Sequence, residues 1–149
     1  MQKKSLITWT FLLLLLDQLS KYWLFGKDCI VISNIFALET VKNTGMAMGM
    51  FSGNVYFALA LSTVALCVVL FLTRKYSLRG FSSLGLLLII AGAFGNLIDR
   101  VFLGYVRDMF SLLFIQFYVF NVADIFVTAG AISLGIGILF REKKEWVKK

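Results

Sequence analysis

Four stretches of this chain, near residues 5–24, 55–72, 81–103 and 118–140, are predominantly apolar over about the 20 residues a helix needs to cross roughly 30 Å of bilayer hydrocarbon. No fold in water absorbs four such runs within 149 residues, because apolar side chains make up 60% of the sequence and charged ones only 15%. That leaves too few polar groups to coat a core of this size. The expected architecture is an all-α membrane protein, one integral domain over residues 1–149 with four transmembrane helices and outer loops at 25–54 and 104–117. The first stretch does not read as a removable leader, since Asp17 and Lys21 interrupt it and no small-residue cleavage pattern comes after it.

The net charge of +7 has two readings, nucleic-acid binding or membrane orientation, and placement decides between them. Ten of the 15 basic residues fall on one side: Lys3 and Lys4, then Arg74, Lys75 and Arg79, then Arg141, Lys143, Lys144, Lys148 and Lys149. The opposite loops hold Lys27, Lys42 and Arg107, balanced by Asp28, Glu39 and Asp108, while Lys21 and Arg100 lie within spans. The positive-inside rule therefore puts both termini in the cytoplasm, and no nucleic-acid partner is expected. Within the first outer loop, Ile30–Ala37 is β-branched and aromatic, and Asn43–Gly45 carries a turn signal before Met46–Phe51. The second apolar segment, Met109–Phe120, suits a short strand or an interfacial helix.

Histidine is absent, which excludes Ser-His-Asp and Cys-His catalysis and His-ligated zinc. Cys29 and Cys67 lie far apart and suggest neither a disulfide framework nor a metal cluster. No metal and no cofactor are expected.

Polar side chains inside the spans are the candidates for function, since each costs several kcal/mol unless paired or hydrated. Asp17 and Lys21 stand at i, i+4, spaced for an ion pair whose simplest role is to lock span one to its neighbours. Span three carries Gly92, Gly95, Asn96 and Asp99, with Arg100 pointing away toward another helix or a lipid phosphate. Span four carries Asn121, Asp124 and Thr128 on one face. Counted from the outer ends, Asp17, Asp99 and Asp124 lie in the outer third of the membrane, with Asp108 at the surface.

That one-sided distribution suits an enzyme working at the outer face better than a proton-coupled transporter built on Asp124, which needs polar groups from side to side. Two aspartates in a poorly solvated site share a proton, one acting as acid and the other as base toward water, and such a pair hydrolyses amides. Spacing weakly favours Asp108 with Asp124. A solvated loop aspartate beside Arg107 is the simpler account of Asp108, and composition does not separate the two.

The ordered blocks DQLSK (Asp17–Lys21), NTGMAM (Asn43–Met48), GAFGNLIDR (Gly92–Arg100), GYVRDM (Gly104–Met109) and FNVAD (Phe120–Asp124) resemble the motif set of the bacterial lipoprotein signal peptidases, or signal peptidase II, over nearly the whole chain. The resemblance implies an intramembrane aspartic endopeptidase of the inner membrane. Its partners would be membrane lipid and a prolipoprotein, which it cuts before a diacylglyceryl-modified cysteine, with its active site facing the periplasm or exterior. A monomer is expected, though the residues do not decide the oligomeric state. The resemblance implies Asp108 and Asp124 as the catalytic pair. Asp17, Lys21, Asn43, Gly45, Asn96, Asp99, Arg100 and Asn121 become supporting or substrate-positioning residues, and the first outer loop becomes a small β-platform. Met46 and Met48, and Ala91 before GAFGN, depart from the usual pattern and bear on the substrate groove.

Overall fold

The computed structural model describes residues 3–45, 54–77, 80–115, 118–140 and 147–148. Four long helices fall close to the expected stretches: α1 (Lys3–Leu24), α2 (Val55–Lys75), α3 (Gly80–Leu103) and α4 (Val122–Leu139). By length and composition alone, α3 and α4 qualify as membrane-crossing helices, and α2 contains a shorter apolar run, Tyr56–Phe71. The strands are β1 (Cys29–Ile32), β2 (Phe36–Asn43), β3 (Tyr76–Ser77), β4 (Val106–Leu112) and β5 (Val147–Lys148).

Helix α1 is built inside out. Ile7, Phe11 and Leu16 are 70%, 62% and 54% exposed, whereas Asp17 and Lys21 are fully buried. A water-soluble helix presents the opposite pattern, with its apolar stripe inward. Helix α3 is the central element, packing on α1, α2 and most extensively α4. Its closeness to α4 depends on glycine: a Cβ at Gly85 would lie 2.6 Å from the Leu134 backbone nitrogen, and one at Gly130 would lie 2.7 Å from the Gly85 carbonyl oxygen.

Strands β1, β2 and β4 form an antiparallel sheet in that order, while β3 pairs with β5. Asn34 takes a left-handed conformation, φ 59°, in the turn between β1 and β2, one that asparagine tolerates well. The second outer segment resolves as a strand: β4 pairs with β2, matching Val41 to Asp108, and a bridge joins Phe110 to Phe120. Among the described residues this strand takes the place of the interfacial helix that the apolar segment after span three also allowed. Pairing explains the preference: β2 takes up the backbone of Val106–Leu112 and Phe120 bridges Phe110, while burial changes phase between Asp108 and Met109, so the strand covers first one face and then the other.

Span four begins later than its apolar run suggests: the helix starts at Val122 and not at 118. Met46 and Met48, the segment Met46–Phe51, and the basic residues Arg79, Arg141, Lys143, Lys144 and Lys149 lie outside the described residues.

Candidate active site

Helix α4 begins where it does because Asn121 caps it. The Asn121 backbone is extended, its Oδ1 accepts the Asp124 N–H at 3.0 Å, and its own N–H donates to Asp124 Oδ2 at 3.2 Å. This reciprocal box satisfies two free donors and brings a carboxylate to the positive end of the helix dipole. A third donor, the Ala123 N–H, is taken by Asp17 Oδ1 from α1 at 2.9 Å. Asp124 thus sits in the first turn of α4, shallower than the sequence spacing suggested, and Thr128 is exposed and off the polar face.

Gly95 admits the approach of α1. A Cβ there would strike the Asp17 carboxylate and crowd the Ala123 methyl.

Asp108 comes from the sheet. It is paired with Val41, so Asn43, two residues along β2, is its diagonal neighbour on the same face. Asn43 Nδ2 donates to Asp108 Oδ2 at 2.9 Å and Asn121 Nδ2 donates to Asp108 Oδ1 at 2.6 Å. Asp108 is only 1% exposed, so a solvated loop aspartate is ruled out. Burial, aided by the negative charge of Asp124, pushes its carboxyl up to about 7.

Three asparagine amides are fixed in orientation by donors on their oxygens. Asn43 Oδ1 takes the Gly45 N–H at 3.0 Å, Asn121 Oδ1 takes the Asp124 N–H, and Asn96 Oδ1 takes Lys21 Nζ at 3.0 Å. Each NH2 group must then face the opposite way, and each meets a carboxylate: Asn43 and Asn121 reach Asp108, while Asn96 donates to Asp124 Oδ1 at 2.8 Å. Asn96 Oδ1 also accepts from Asn121 Nδ2 at 3.2 Å, which joins the two halves.

Beneath this lies an ionic layer. Lys21 Nζ is 3.0 Å from Asp17 Oδ2 and 3.5 Å from Asp99 Oδ2, all of it buried. Asp99 is further held by Arg107, with Nη2 2.7 Å from Oδ1. Arg100 turns away from Asp99, as its spacing implied, and reaches the sheet where another helix was one of the expected partners: Nη2 donates to the Gly45 carbonyl at 2.8 Å, stapling the turn after β2 to α3. Its Nε is the one buried side-chain polar atom without a hydrogen-bond partner among the described residues.

All ten site residues expected from the sequence are joined by these contacts. Two others were not anticipated, Gln18 and Arg107. Arg107 reads in sequence as a loop charge beside Asp108, and only the fold shows its partner to be Asp99.

Counting charge, four carboxylates (Asp17, Asp99, Asp108, Asp124) face three cations (Lys21, Arg100, Arg107). One proton on the Asp108–Asp124 pair makes the cluster neutral, as a poorly solvated site favours. A carboxylate pair with one proton and oriented amide donors is equipped for acid–base chemistry on water and a carbonyl. Among the described residues, no group of three His, Cys, Asp or Glu is arranged to hold a metal.

Residues 9–140 match the family model of signal peptidase (SPase) II. The chain is 41% identical over 138 residues to a lipoprotein signal peptidase of Clostridioides difficile, covering 89% of this chain and 93% of the relative. It is 43% identical over 139 residues to one from Latilactobacillus sakei, covering 89% and 91%. A bacterial membrane enzyme solved in meso at 2.3 Å superposes with a TM-score of 0.85 at 28% identity, covering 98% of this chain and 96% of that one.

Proposed function

This chain belongs to the signal peptidase II family, and on that premise we propose that it is an intramembrane aspartic endopeptidase that removes signal peptides from prolipoproteins, with Asp108 and Asp124 as its catalytic pair. The observation that carries the assignment is Asn121, a single residue that binds Asp108 through its side chain and Asp124 through its backbone, holding the two carboxyls to one point.

In the active form Asp108 holds the shared proton and Asp124 is the base. Asp124 takes a proton from water as the oxygen adds to the scissile carbonyl carbon, and Asp108 gives its proton to the carbonyl oxygen. The resulting gem-diol collapses: the C–N bond breaks, Asp124 passes its proton to the leaving amine, and Asp108 recovers one from a diol hydroxyl. Both carboxyls end as they began. The asparagine amides keep the pair aimed throughout, which is where positioning contributes to rate. Arg100 Nε, buried without an acceptor, is the donor assigned to a substrate carbonyl.

All four helices cross the inner membrane in this reading, with both termini cytoplasmic and the β1–β2–β4 platform outside. The exposed apolar face of α1, opposite its buried charges, supports this, because lipid solvates such a surface and water does not. The peptide cut is the bond before a diacylglyceryl-cysteine, presented from the outer leaflet. Nothing in the fold or the family favours the proton-coupled transporter.

The test is incubation of purified protein with a diacylglyceryl-modified precursor and an unlipidated control, with masses of both products measured. Cleavage of the lipidated precursor alone, before its modified cysteine, is expected. Equal cleavage of both, or none of either, contradicts the assignment.

A further inference from the structure

We propose that Arg107, a residue outside the ten expected from the sequence, is a positioning residue that holds both members of the pair through Asp99; this rests on the dyad reading. Gly104, at φ 78°, turns the chain sharply from α3 into β4. The turn brings Arg107 back onto the last turns of α3, where it gives Asp99 three donors: its backbone N–H at 3.0 Å and Nε at 3.2 Å to Oδ2, and Nη2 at 2.7 Å to Oδ1. The backbone bond matters most for Asp108, because it pins the strand one residue before that carboxyl.

The guanidinium reaches Asp124 by a second route. Lys21 has three hydrogens and three partners, Asp17 and Asn96 at 3.0 Å and Asp99 at 3.5 Å. Asp99 is the farthest because Arg107 already satisfies it. Without the guanidinium, the buried Asp99 carboxylate draws Lys21 toward itself, since an uncompensated charge there is costly. Asn96 then keeps only the longer of the two donors on its oxygen, Asn121 Nδ2 at 3.2 Å, and the N–H it gives Asp124 is held less firmly.

A third contact works in the same direction. Arg107 Nη2 donates to Gln18 Oε1 at 2.9 Å, which orients Gln18 Nε2 toward Asp17 Oδ2 at 3.0 Å and the Gly95 carbonyl at 3.2 Å. Asp17 is the residue that holds the Ala123 N–H at the start of α4.

The β2–β4 ladder and the Phe110–Phe120 bridge do not involve the guanidinium, so Arg107→Met is expected to fold. The experiment measures kcat, KM and thermal unfolding in detergent for wild type, Arg107→Met, Arg107→Lys, Asp99→Asn/Arg107→Met and Asp108→Asn on the lipidated precursor. Arg107→Met is expected to lose about tenfold or more in kcat with KM within about twofold. Arg107→Lys recovers part of the loss, keeping the cation without the fork. The double variant exceeds Arg107→Met alone, because the charge that pulls Lys21 is gone. Arg107→Met with kcat within about twofold of wild type, or a double variant no better than the single, overturns the proposal. Turnover by Asp108→Asn sinks the dyad reading itself, an outcome distinct from either.

Discussion

Asn121 Nδ2 donates to Asp108 Oδ1 at 2.6 Å, across from the sheet to the mouth of α4. The same residue starts the helix that carries Asp124, so capping the helix and bringing the two carboxyls together are one structural event.

Asn121 variants separate those two roles. Asn121→Ala removes the cap and the donor together, and is expected to cost about 1 kcal/mol of stability or more along with turnover. Asn121→Ser keeps a good capping oxygen but has no amide to reach Asp108. Its Tm is expected to lie above that of Asn121→Ala, because the cap is kept, while kcat falls as far; thermal unfolding beside steady-state kinetics checks both, and a Ser variant with wild-type kcat contradicts the amide's role.

In the proposed mechanism the pH dependence originates at Asp108. Its carboxyl is held up to about 7 by burial and by Asp124, and the active form proposed above carries the proton, so turnover is expected to fall as pH rises through about 7. The Asn43 hydrogen bond favours the ionised form. Asn43→Ala therefore shifts the alkaline limb to higher pH, read from kcat/KM profiles of the two proteins. A limb that moves down or stays in place argues against Asp108 as the proton holder. The same shift acts on stability with a definite sign: the unfolded carboxyl ionises near 3.8 and the folded one near 7, so this group's contribution declines as pH rises between the two.

Gly95→Ala tests the α1 approach. The added methyl meets the Asp17 carboxylate and the Ala123 side chain. Displacing Asp17 frees the Ala123 N–H, so a loss of about 1–3 kcal/mol is expected, visible as a lowered Tm in detergent. An unchanged Tm means that α1 shifts at no cost and that its docking is looser than these contacts imply.

Most of the helical frame was legible in the sequence, because apolar runs of about 20 residues have few alternatives to a spanning helix. The Asp17–Lys21 pair was legible too, from its i, i+4 spacing. The start of α4 was missed because Tyr118–Phe120 continues the apolar run, and hydropathy does not register a cap. The Asn121-Val-Ala-Asp124 spacing carried that signal. Strand β4 stayed ambiguous since apolar segments of that length fit either class until their partner is known. Arg107 was not legible at all: its partner lies eight residues back across a turn, and beside Asp108 it read only as a solvated loop charge.

The central claim is that Asp108 and Asp124 together perform the hydrolysis, and the most direct test replaces each carboxyl with its amide. Asp108→Asn and Asp124→Asn, purified in detergent and shown by thermal unfolding to be folded, are assayed for mass release from the lipidated precursor. Both are expected to be folded and each to lose turnover by several orders of magnitude. Substantial turnover by either folded variant contradicts the dyad.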